Sequence, residues 1–420
     1  MSDQRHLVVV GASLAGLRAV ETARADGFDG QITLIGSEPY LPYDRPPLSK
    51  AYLDRLPDGQ APASTEFRSE DILRDELNVT LLLGVPASGL NTAARVVTTA
   101  DGREVSYDAL VIATGADART LPGTEGLDGV HTLRTVDDAV AVRAALDSGA
   151  RTVVIGAGFI GSEVASGARK RGLSPVVVEA LPTPLVRAVG QQMGAALASL
   201  HTRNGTDLRC GVAVASIEGD GKVERVVLTD GTVIPADLVV VGAGANPGVG
   251  WLEGSGLELD NGVVCDENLW TGVTGVYAAG DVARWRNGVF DRLMRLEHWT
   301  SAAEQAAIAT RNALNPGEFK SYSTVPYFWS DWYDVRIQFV GSPNADEIVV
   351  VEDLDADDRI VALYREDDRL VGVLTVDGQT EIMKYRGKIL KHETFVDAVA
   401  FAEKRKAARA AKREVAKASV

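Results

Sequence analysis

Two glycine-rich turns with the same spacing are the parts of this chain best suited to chemistry. The first spans Gly11 to Gly16 and follows the apolar run Leu7 to Val10, and the second spans Gly156 to Gly161 and follows Thr152 to Ile155. In a strand–turn–helix unit such glycines let backbone N–H groups approach a pyrophosphate at the N-terminus of the helix. Two copies in one chain predict two bound dinucleotides and electron transfer between them.

An acidic residue near the end of the next apolar run follows each turn. Ser37 and Glu38 follow the first turn in this way, and Glu179 follows the second. A carboxylate at this position accepts hydrogen bonds from ribose hydroxyls and repels a 2′-phosphate. The first cationic residue after Glu179 is Arg187, so we expect the second turn to bind NAD rather than NADP. Ser13 stands where the motif has its second glycine, which makes the first turn the weaker match.

The sequence around these turns predicts an α/β architecture, because apolar runs alternate with helical segments from residue 7 onward. Two more apolar runs end in small-residue turns, one at Ala113, Thr114 and Gly115 and the other around Gly244. Since these turns flank the second glycine motif, we expect the chain to cross between domains there. The predicted domains are residues 1–113 together with 245–320, residues 114–244, and a smaller domain at residues 321–420.

Composition restricts the class of protein. A chain of 420 residues should form two or three domains, and a net charge of −15 argues against a nucleic-acid partner. Cys210 and Cys265 are the only cysteines, and they supply neither a Cys-x-x-Cys pair nor a metal or iron–sulfur ligand set. The sequence shows no membrane-spanning apolar run and no signal peptide, so we expect a cytoplasmic enzyme.

Further motifs occur in a fixed order with the two turns: Pro42 to Lys50, then Ala279-Gly280-Asp281, then Pro326 to Asp331. With them, almost the whole chain resembles the FAD-dependent NADH:ferredoxin reductases that serve cytochrome P450 and aromatic-ring dioxygenase systems. The stretch from Tyr43 to Lys50, which reads Tyr-Asp-Arg-Pro-Pro-Leu-Ser-Lys, is far more specific than either glycine turn.

The resemblance implies a fold of two Rossmann-like dinucleotide-binding domains of the glutathione-reductase type and a smaller C-terminal α/β domain. FAD would bind the first domain and NADH the second. The flavoprotein would pass electrons to a [2Fe–2S] ferredoxin that supplies a cytochrome P450 or a ring-hydroxylating oxygenase. Neither nucleic acid nor a membrane is expected as a partner.

The resemblance also implies a set of cofactor contacts. For FAD they are Gly11, Ser13, Leu14, Ala15, Gly16, Ser37, Glu38, Arg45, Lys50, Ala87, Ala113, Thr114, Gly115, Arg134, Gly280, Asp281, Trp299 and Trp329. For the nicotinamide dinucleotide they are Gly156, Gly158, Phe159, Ile160, Gly161, Glu163, Glu179, Arg187 and Gly244.

Three residues are the candidates for roles in the reaction itself. Lys50 is expected to present its cation near the flavin N5, although as an isolated residue it would be read as an exposed helix start. Glu163, expected in the first turn of a helix, either complements the helix dipole or pairs with Lys50 and controls the approach of the nicotinamide. Trp329 is expected to cover the flavin rather than fill a core.

Other functions remain open. An NADH oxidase, or a reductase with another acceptor, would use the same fold and the same cofactors. A disulfide reductase needs a redox cysteine, which the segment from Pro42 to Lys50 lacks. A binding or signalling role like that of apoptosis-inducing factor is a further alternative. For ferredoxin docking, the arginines suggested as a local basic patch are Arg284, Arg286, Arg292, Arg295 and Arg311.

Overall fold

The computed structural model describes residues 5–57 and 60–418. The chain divides into two compact units. Unit 1 comprises Met1–Arg45, Ala63–Asp117 and Ala245–Thr324. Unit 2 comprises Pro46–Pro62, Ala118–Gly244 and Val325–Val420. Each unit therefore contains one of the two glycine turns.

Twenty-six strands lie within the described residues. In chain order they are β1 (His6–Val10), β2 (Gln31–Ile35), β3 (Val79–Leu82), β4 (Ala87–Asn91), β5 (Val96–Thr99), β6 (Glu104–Ser106), β7 (Ala109–Ile112), β8 (Ala116–Ala118), β9 (Val130–His131), β10 (Thr152–Ile155), β11 (Val176–Glu179), β12 (Asp207–Cys210), β13 (Val214–Asp220), β14 (Lys222–Leu228), β15 (Val233–Pro235), β16 (Leu238–Val241), β17 (Ala245–Pro247), β18 (Val263–Cys265), β19 (Val276–Ala278), β20 (Ala283–Asn287), β21 (Arg292–Arg295), β22 (Tyr327–Trp332), β23 (Val335–Gly341), β24 (Glu347–Glu352), β25 (Ile360–Glu366) and β26 (Arg369–Val376).

Eight α-helices lie in the same part of the chain. They are α1 (Leu14–Ala25), α2 (Val136–Asp147), α3 (Phe159–Lys170), α4 (Val186–Arg203), α5 (Trp299–Leu314), α6 (Leu354–Asp357), α7 (Ile382–Leu390) and α8 (Phe395–Ala418). Short 3-10 turns occur at Pro46–Ser49, Ala51–Leu53, Gly250–Leu252 and Gly280–Val282, and a π-helical turn at Ile72–Glu76. None of these described helices is both long and apolar enough to cross a membrane.

The sheet of unit 1 explains why its motifs meet. Its strands are parallel, in the order β19-β7-β1-β2-β3. The central strand β1 is buried along Leu7 to Val10, as a parallel strand covered on both faces must be. Because parallel strands share one carboxyl edge, the turns after β1, β7 and β19 all lie at that edge, where α/β sheets bind their ligands.

Unit 2 repeats this arrangement and adds an antiparallel sheet. Its parallel sheet has the order β12-β11-β10-β16-β9, so that the second glycine turn, Glu179 and the turn after β16 share one edge. The C-terminal sheet has the order β22-β23-β26-β25-β24, with α7 packed on β23 and β26, and α8 packed on β24 and β25. The α/β class with two dinucleotide-binding sheets and a smaller C-terminal part is confirmed.

The segment Pro46–Pro62 belongs to unit 2, although its sequence continues directly from unit 1. Its turn Pro46–Ser49 packs on α3 and its turn Ala51–Leu53 packs on α2. Arg171 of unit 2 donates to the backbone carbonyl of Leu53, and Arg143 donates to that of Tyr52 at 3.3 Å. These bonds hold Lys50 and its neighbours against α3.

A cluster of buried charges holds α8 to the C-terminal sheet. Glu381, whose side chain is fully buried, accepts from Arg359 at 2.5 Å, from Arg409 at 2.8 Å and from Arg405 at 3.2 Å. Arg409 also pairs with Glu352, which ends β24. Arg405 and Arg409 lie on α8, so the last helix is attached through carboxylates that water does not reach.

Replacing Glu381 with Gln should destabilise this part of the chain strongly. It would leave three guanidinium groups facing a neutral side chain, and breaking a buried ion pair costs about 3–5 kcal/mol. Glu347→Gln is the matched control, because Glu347 pairs with Arg365 at the surface and such pairs contribute about 0–1 kcal/mol. Urea denaturation of both variants tests the difference, and equal losses would contradict it.

A buried histidine joins α3 and α4 to the turn between β22 and β23. The ring of His201 lies 3.2 Å from the Ser162 hydroxyl and 2.7 Å from the Tyr333 hydroxyl, which in turn lies 2.8 Å from the Thr206 hydroxyl. Burial lowers the pKa of His201 to about 4 and raises that of Tyr333 to about 12. The folded protein therefore keeps this imidazole neutral.

This histidine predicts a loss of stability in acid. Below pH 6.5 the imidazole of the unfolded chain binds a proton, whereas the folded protein resists protonation down to about pH 4. Stability should thus fall as the pH drops through this window, by about 3 kcal/mol for this group. The free energy of unfolding of His201→Phe should change less between pH 7 and pH 4 than that of the unsubstituted protein. Parallel pH dependences would contradict this interpretation.

Candidate functional site

The first glycine turn packs directly on the turn after β7. A Cβ atom on Gly11, whose φ is +119°, would lie 2.0 Å from the carbonyl oxygen of Ala113. A Cβ atom on Gly16 would lie 1.8 Å from the carbonyl oxygen of Gly11. The Thr114 hydroxyl donates to the carbonyl of Gly248 at 2.7 Å, and Gly115 follows with φ of +68°. Only glycine lets these two chain segments meet so closely.

A cation stands at the N-terminus of α1. Ser13 is the N-cap residue of this helix, but its side chain caps no backbone N–H. Instead the Ser13 hydroxyl accepts from Nε of Arg45 at 3.3 Å. The first backbone N–H groups of a helix, here from Leu14 and Ala15 onward, lack partners within the helix and carry its positive dipole. Together with the guanidinium of Arg45, they fit the pyrophosphate of a dinucleotide.

Glu38, the acidic residue expected to bind a ribose, already has two partners within the protein. Glu38 forms an ion pair with Arg45 at 2.5 Å and accepts from the Tyr43 hydroxyl at 2.5 Å. Each carboxylate oxygen has two acceptor positions, so Glu38 retains capacity for ribose hydroxyls. Ser37 is exposed beside it at the end of β2. The sequence did not predict the pairing of Glu38 with Arg45. Each residue was expected to contact the cofactor separately.

The turn after β19 lies against the same glycine motif. A Cβ atom on Gly280 would lie 3.2 Å from the Cβ of Ala15, and the Gly280 N–H donates to the side chain of Gln305 at 2.8 Å. The backbone carbonyl of Asp281 accepts from Arg295 at 3.0 Å. The structure thus brings Asp281 to the edge where α1 begins.

Trp299 stands at the first position of α5, where its indole N–H donates to Asp44 at 2.8 Å. The residue before it, His298, is the N-cap of this helix, and its burial lowers its pKa to about 4. Ala87 begins β4 elsewhere in unit 1. Trp299 and Asp44 therefore connect α5 with the specific motif that runs from Pro42 to Lys50.

In unit 2, the carboxylate of Glu179 holds the second glycine turn in place. Glu179 accepts from the backbone N–H groups of Ala157 and Leu181, each at 2.8 Å. A Cβ atom on Gly156 would lie 2.4 Å from the carbonyl oxygen of Gly242, whereas one on Gly158 would meet no other atom within 4 Å. Space therefore opens at the middle glycine, where a pyrophosphate must approach the backbone.

The remaining candidates in unit 2 lie at or near the starts of α2, α3 and α4 and in the turn after β16. Phe159 and Ile160 begin α3, and Ile160 is 37% exposed. A Cβ atom on Gly244 would also meet no atom within 4 Å. Arg187 is exposed near the start of α4, and the backbone N–H of Arg134 donates to Asp138 in the cap of α2 at 2.8 Å. Arg134 and Lys50 thus belong to unit 2, whereas most of the other expected FAD contacts belong to unit 1.

Glu163 is the centre of a buried polar cluster. The ammonium of Lys50 lies 2.9 Å from each of its carboxylate oxygens. The Ser330 hydroxyl donates to Oε1 at 2.5 Å, and the Ser49 hydroxyl donates to Oε2. Only 2% of the Glu163 side chain is exposed, compared with 19% for that of Lys50. The carboxylate is thus fully partnered, and the ammonium remains accessible.

The expectation that Glu163 lies in the first turn of a helix is wrong. Helix α3 begins at Phe159, directly after Gly158, and its first turn contains no acidic residue. Glu163 lies in the second turn, where the helix dipole contributes little. Sequence analysis also missed Ser49 and Ser330, although each is the immediate neighbour of a candidate residue within a motif already singled out.

Trp329 lies half-buried on the strand face opposite to Ser330. Its ring is stacked on Tyr327, with 5.9 Å between centroids and 24° between planes. Phe328, on the same face as Ser330, packs on Phe159 of α3 with centroids 4.7 Å apart. Because side chains alternate between the two faces of β22, Ser330 faces Glu163 and Trp329 lies on the opposite face of the strand.

The two cysteines do not provide a redox thiol. Both are free. Burial and the neighbouring Glu179 carboxylate raise the pKa of Cys210 to about 11, and burial raises that of Cys265 further. Both groups stay protonated near neutral pH, whereas the thiolate is the reactive form. The chemistry of a disulfide reductase finds no support here.

Comparison with known proteins agrees with this geometry. Residues 5–306 match the family model of pyridine nucleotide-disulphide oxidoreductases, and residues 327–411 match the reductase C-terminal model. The chain is 38% identical to rhodocoxin reductase of Rhodococcus erythropolis, covering 92% of this chain and 90% of that protein. It is 36% identical to the ferredoxin reductase component of chlorobenzene dioxygenase of Cupriavidus sp. (strain PS12), with 89% of each covered.

Among solved structures, the covalent putidaredoxin reductase–putidaredoxin complex matches with a TM-score of 0.87 at 34% identity, covering 93% of this chain and 94% of that one. One assignment follows from these similarities, from the two parallel sheets with dinucleotide turns and from the third sheet, which carries Trp329. The chain belongs to the pyridine nucleotide-disulphide oxidoreductase family, within its group of FAD-dependent NADH:ferredoxin reductases of cytochrome P450 and dioxygenase systems.

Proposed function

We propose that this protein oxidises NADH and passes the electrons singly, through FAD, to a [2Fe–2S] ferredoxin that supplies a cytochrome P450 or a ring-hydroxylating oxygenase. FAD supplies the exchange between a two-electron donor and a one-electron acceptor. The observation that carries the proposal is the pair of parallel sheets, each with a dinucleotide turn at its carboxyl edge. The ferredoxin reductases that the chain resembles over most of its length support the choice of acceptor.

We assign FAD to residues 1–113 with 245–320. Arg45 and the N-terminus of α1 would hold the pyrophosphate, since both present positive charge beside Ser13. Glu38 would accept from the adenosine ribose, and Asp281 would bind near the ribityl chain. The close packing of Gly280 on Ala15 supports this arrangement, because it sets Asp281 beside the pyrophosphate turn.

We assign NADH to residues 114–244, with residues 321–420 as the C-terminal domain. The open space at Gly158 leaves room for the pyrophosphate, and Glu179 would accept from the adenosine ribose while it braces the turn. Lys50 would present its cation towards the flavin N5, and Glu163 would hold that cation and control the approach of the nicotinamide. Trp329 would cover the flavin ring. We also propose a cytoplasmic location, supported by the two unpaired cysteines.

The acceptor is tested by following where the electrons of NADH go. In air, the purified FAD protein with NADH and a [2Fe–2S] ferredoxin should reduce the ferredoxin, detected through cytochrome c, at least tenfold faster than it forms hydrogen peroxide. The same mixture without ferredoxin gives the oxidase rate. Peroxide formation that exceeds electron transfer to every ferredoxin tested would favour the NADH oxidase alternative.

Replacing Glu163 should slow the reduction of the flavin. Glu163→Ala and Glu163→Gln both remove the negative charge that holds the Lys50 ammonium. We expect the limiting rate of flavin reduction by NADH to fall about 10- to 100-fold, which corresponds to about 1.4–2.7 kcal/mol, while the FAD content stays intact. Anaerobic stopped-flow spectroscopy measures this rate, with Glu347→Ala as a surface control. An unchanged rate would refute the proposed role.

Glu179 should determine the choice of nicotinamide. The protein should reduce its flavin at lower NADH than NADPH concentrations, because a carboxylate repels the 2′-phosphate. Glu179→Gln keeps one oxygen for the Ala157 N–H and removes the charge. The ratio of the dissociation constants for NADPH and NADH should therefore fall about tenfold in this variant. Dissociation constants from stopped-flow titrations with both coenzymes measure the preference. A preference for NADPH in the unsubstituted protein would overturn the assignment.

A further inference from the structure

A two-step hydrogen-bond relay reaches Glu163 from the interior of the C-terminal sheet. The indole N–H of Trp332 donates to the Ser330 hydroxyl at 2.9 Å, and this hydroxyl donates to Oε1 of Glu163 at 2.5 Å. Trp332 and Ser330 are both fully buried, and Glu163 is 3% exposed. Water therefore cannot replace either bond.

The direction of the relay follows from the groups involved. An indole N–H only donates, so a lone pair of the Ser330 hydroxyl must face Trp332. The single hydroxyl proton is then left to point at Glu163. Any other rotation of this hydroxyl would leave a buried donor or acceptor without a partner, which costs free energy. Trp332 thereby orients the bond that Ser330 gives to the carboxylate.

Trp332 is itself held in place. Its ring packs on that of His201, with centroids 4.8 Å apart, and the next residue, Tyr333, donates its backbone N–H to the Ser166 hydroxyl at 2.9 Å. The Tyr333 hydroxyl is bonded to His201 in turn. Helices α3 and α4 therefore both contact the end of β22, and the contact made by Trp332 itself is the one with His201 on α4.

On the other side of the carboxylate stand Ser49 and Lys50. Ser49 donates to Oε2, Ser330 donates to Oε1, and the Lys50 ammonium contacts both oxygens at 2.9 Å. With a hydroxyl donor on each oxygen, the carboxylate plane has one favourable orientation. Without the Ser330 hydroxyl, Oε1 would keep the ammonium and the longer bond from the Asp331 backbone N–H at 3.4 Å. The carboxylate plane, and the ammonium that it holds, would then be less constrained.

We propose that Ser330, oriented by Trp332, is a positioning residue that fixes the Lys50 ammonium through Glu163. The inference rests on the proposed function, because the fixed ammonium matters where Lys50 faces the flavin during hydride transfer. Ser330 would act on the limiting rate of flavin reduction and not on the binding of NADH, since its hydroxyl is fully buried and bonded to Glu163.

The first test compares Ser330→Ala with Ser166→Ala. Both remove one serine hydroxyl that anchors the same end of β22, but the Ser166 hydroxyl bonds the backbone of Tyr333 and Ser162, whereas that of Ser330 bonds the Glu163 carboxylate. Ser330→Ala should lower the limiting rate of flavin reduction about tenfold, with the dissociation constant of NADH unchanged within twofold. Ser166→Ala should leave the rate within twofold of the unsubstituted protein. Equal losses in both variants would overturn the proposal, because they would indicate a loosened strand.

The second test does not depend on hydride transfer. In the FAD-free protein, reductive methylation with formaldehyde and cyanoborohydride, followed by peptide mass spectrometry, reports the reactivity of the Lys50 amine. Ser330→Ala should raise the labelling rate of Lys50 at least threefold relative to Ser166→Ala, with other lysines unchanged. An unchanged Lys50 rate would overturn the relay. If NADH fails to reduce the flavin of the unsubstituted protein, the proposed function fails while this labelling result still decides the relay.

A double-substitution cycle tests the role of Trp332. Trp332→Phe leaves an aromatic ring beside His201 but removes the N–H together with the five-membered ring of the indole, and it should give a smaller loss of rate, about threefold. In the Ser330→Ala background it should cause no further loss, because the hydroxyl that it orients is gone. Losses that multiply in the double variant would contradict a relay from Trp332 through Ser330.

Discussion

A buried carboxylate imposes the constraint around which unit 2 is organised. Glu163 carries a charge in the interior, and such a charge persists only where donors surround it. These donors come from distant parts of the chain: Ser49 and Lys50 from one segment, and Ser330 from the C-terminal sheet. The need to satisfy one side chain therefore brings together α3, a loop that continues directly from unit 1, and strand β22. The same arrangement leaves the Lys50 ammonium accessible and fixed.

The two dinucleotide turns have the same strand–turn–helix backbone, but the charged side chains beside them differ. Around the first, Arg45 lies at the helix N-terminus beside Ser13, and its positive charge is balanced by Glu38. Around the second, Glu179 bonds the turn directly, and the middle glycine stays open. A cation beside the first turn suits a cofactor that stays bound. A second turn that is open at its middle glycine and braced by a carboxylate suits a coenzyme that must leave after each reaction. The serine that weakens the first motif in sequence thus has a partner in the structure.

Local patterns were sufficient to predict much of this fold. The runs from Leu7 to Val10 and from Thr152 to Ile155 form the central strands of the two parallel sheets. Apart from Thr152 they are apolar at every position, as is typical of a strand covered on both faces. The glycine turns follow from the same local rules. Glu163 was assigned to the wrong turn, since helix starts are uncertain by a few residues in sequence. Its bonds to Ser49 and Ser330 join residues 114 and 167 positions apart in the chain, which no local pattern contains. The bond from Trp332 to Ser330 is local, but nothing in the sequence ties it to Glu163.

Electron transfer from NADH through FAD to a ferredoxin is tested most directly by an anaerobic double-mixing experiment on the FAD protein. The protein is mixed first with one equivalent of NADH and then with an excess of [2Fe–2S] ferredoxin, while flavin and ferredoxin absorbance are recorded separately. We expect rapid bleaching of the flavin, followed by the reduction of two ferredoxins for each NADH as the flavin colour returns. Bleaching that is not followed by ferredoxin reduction, or no bleaching by NADH, would contradict it.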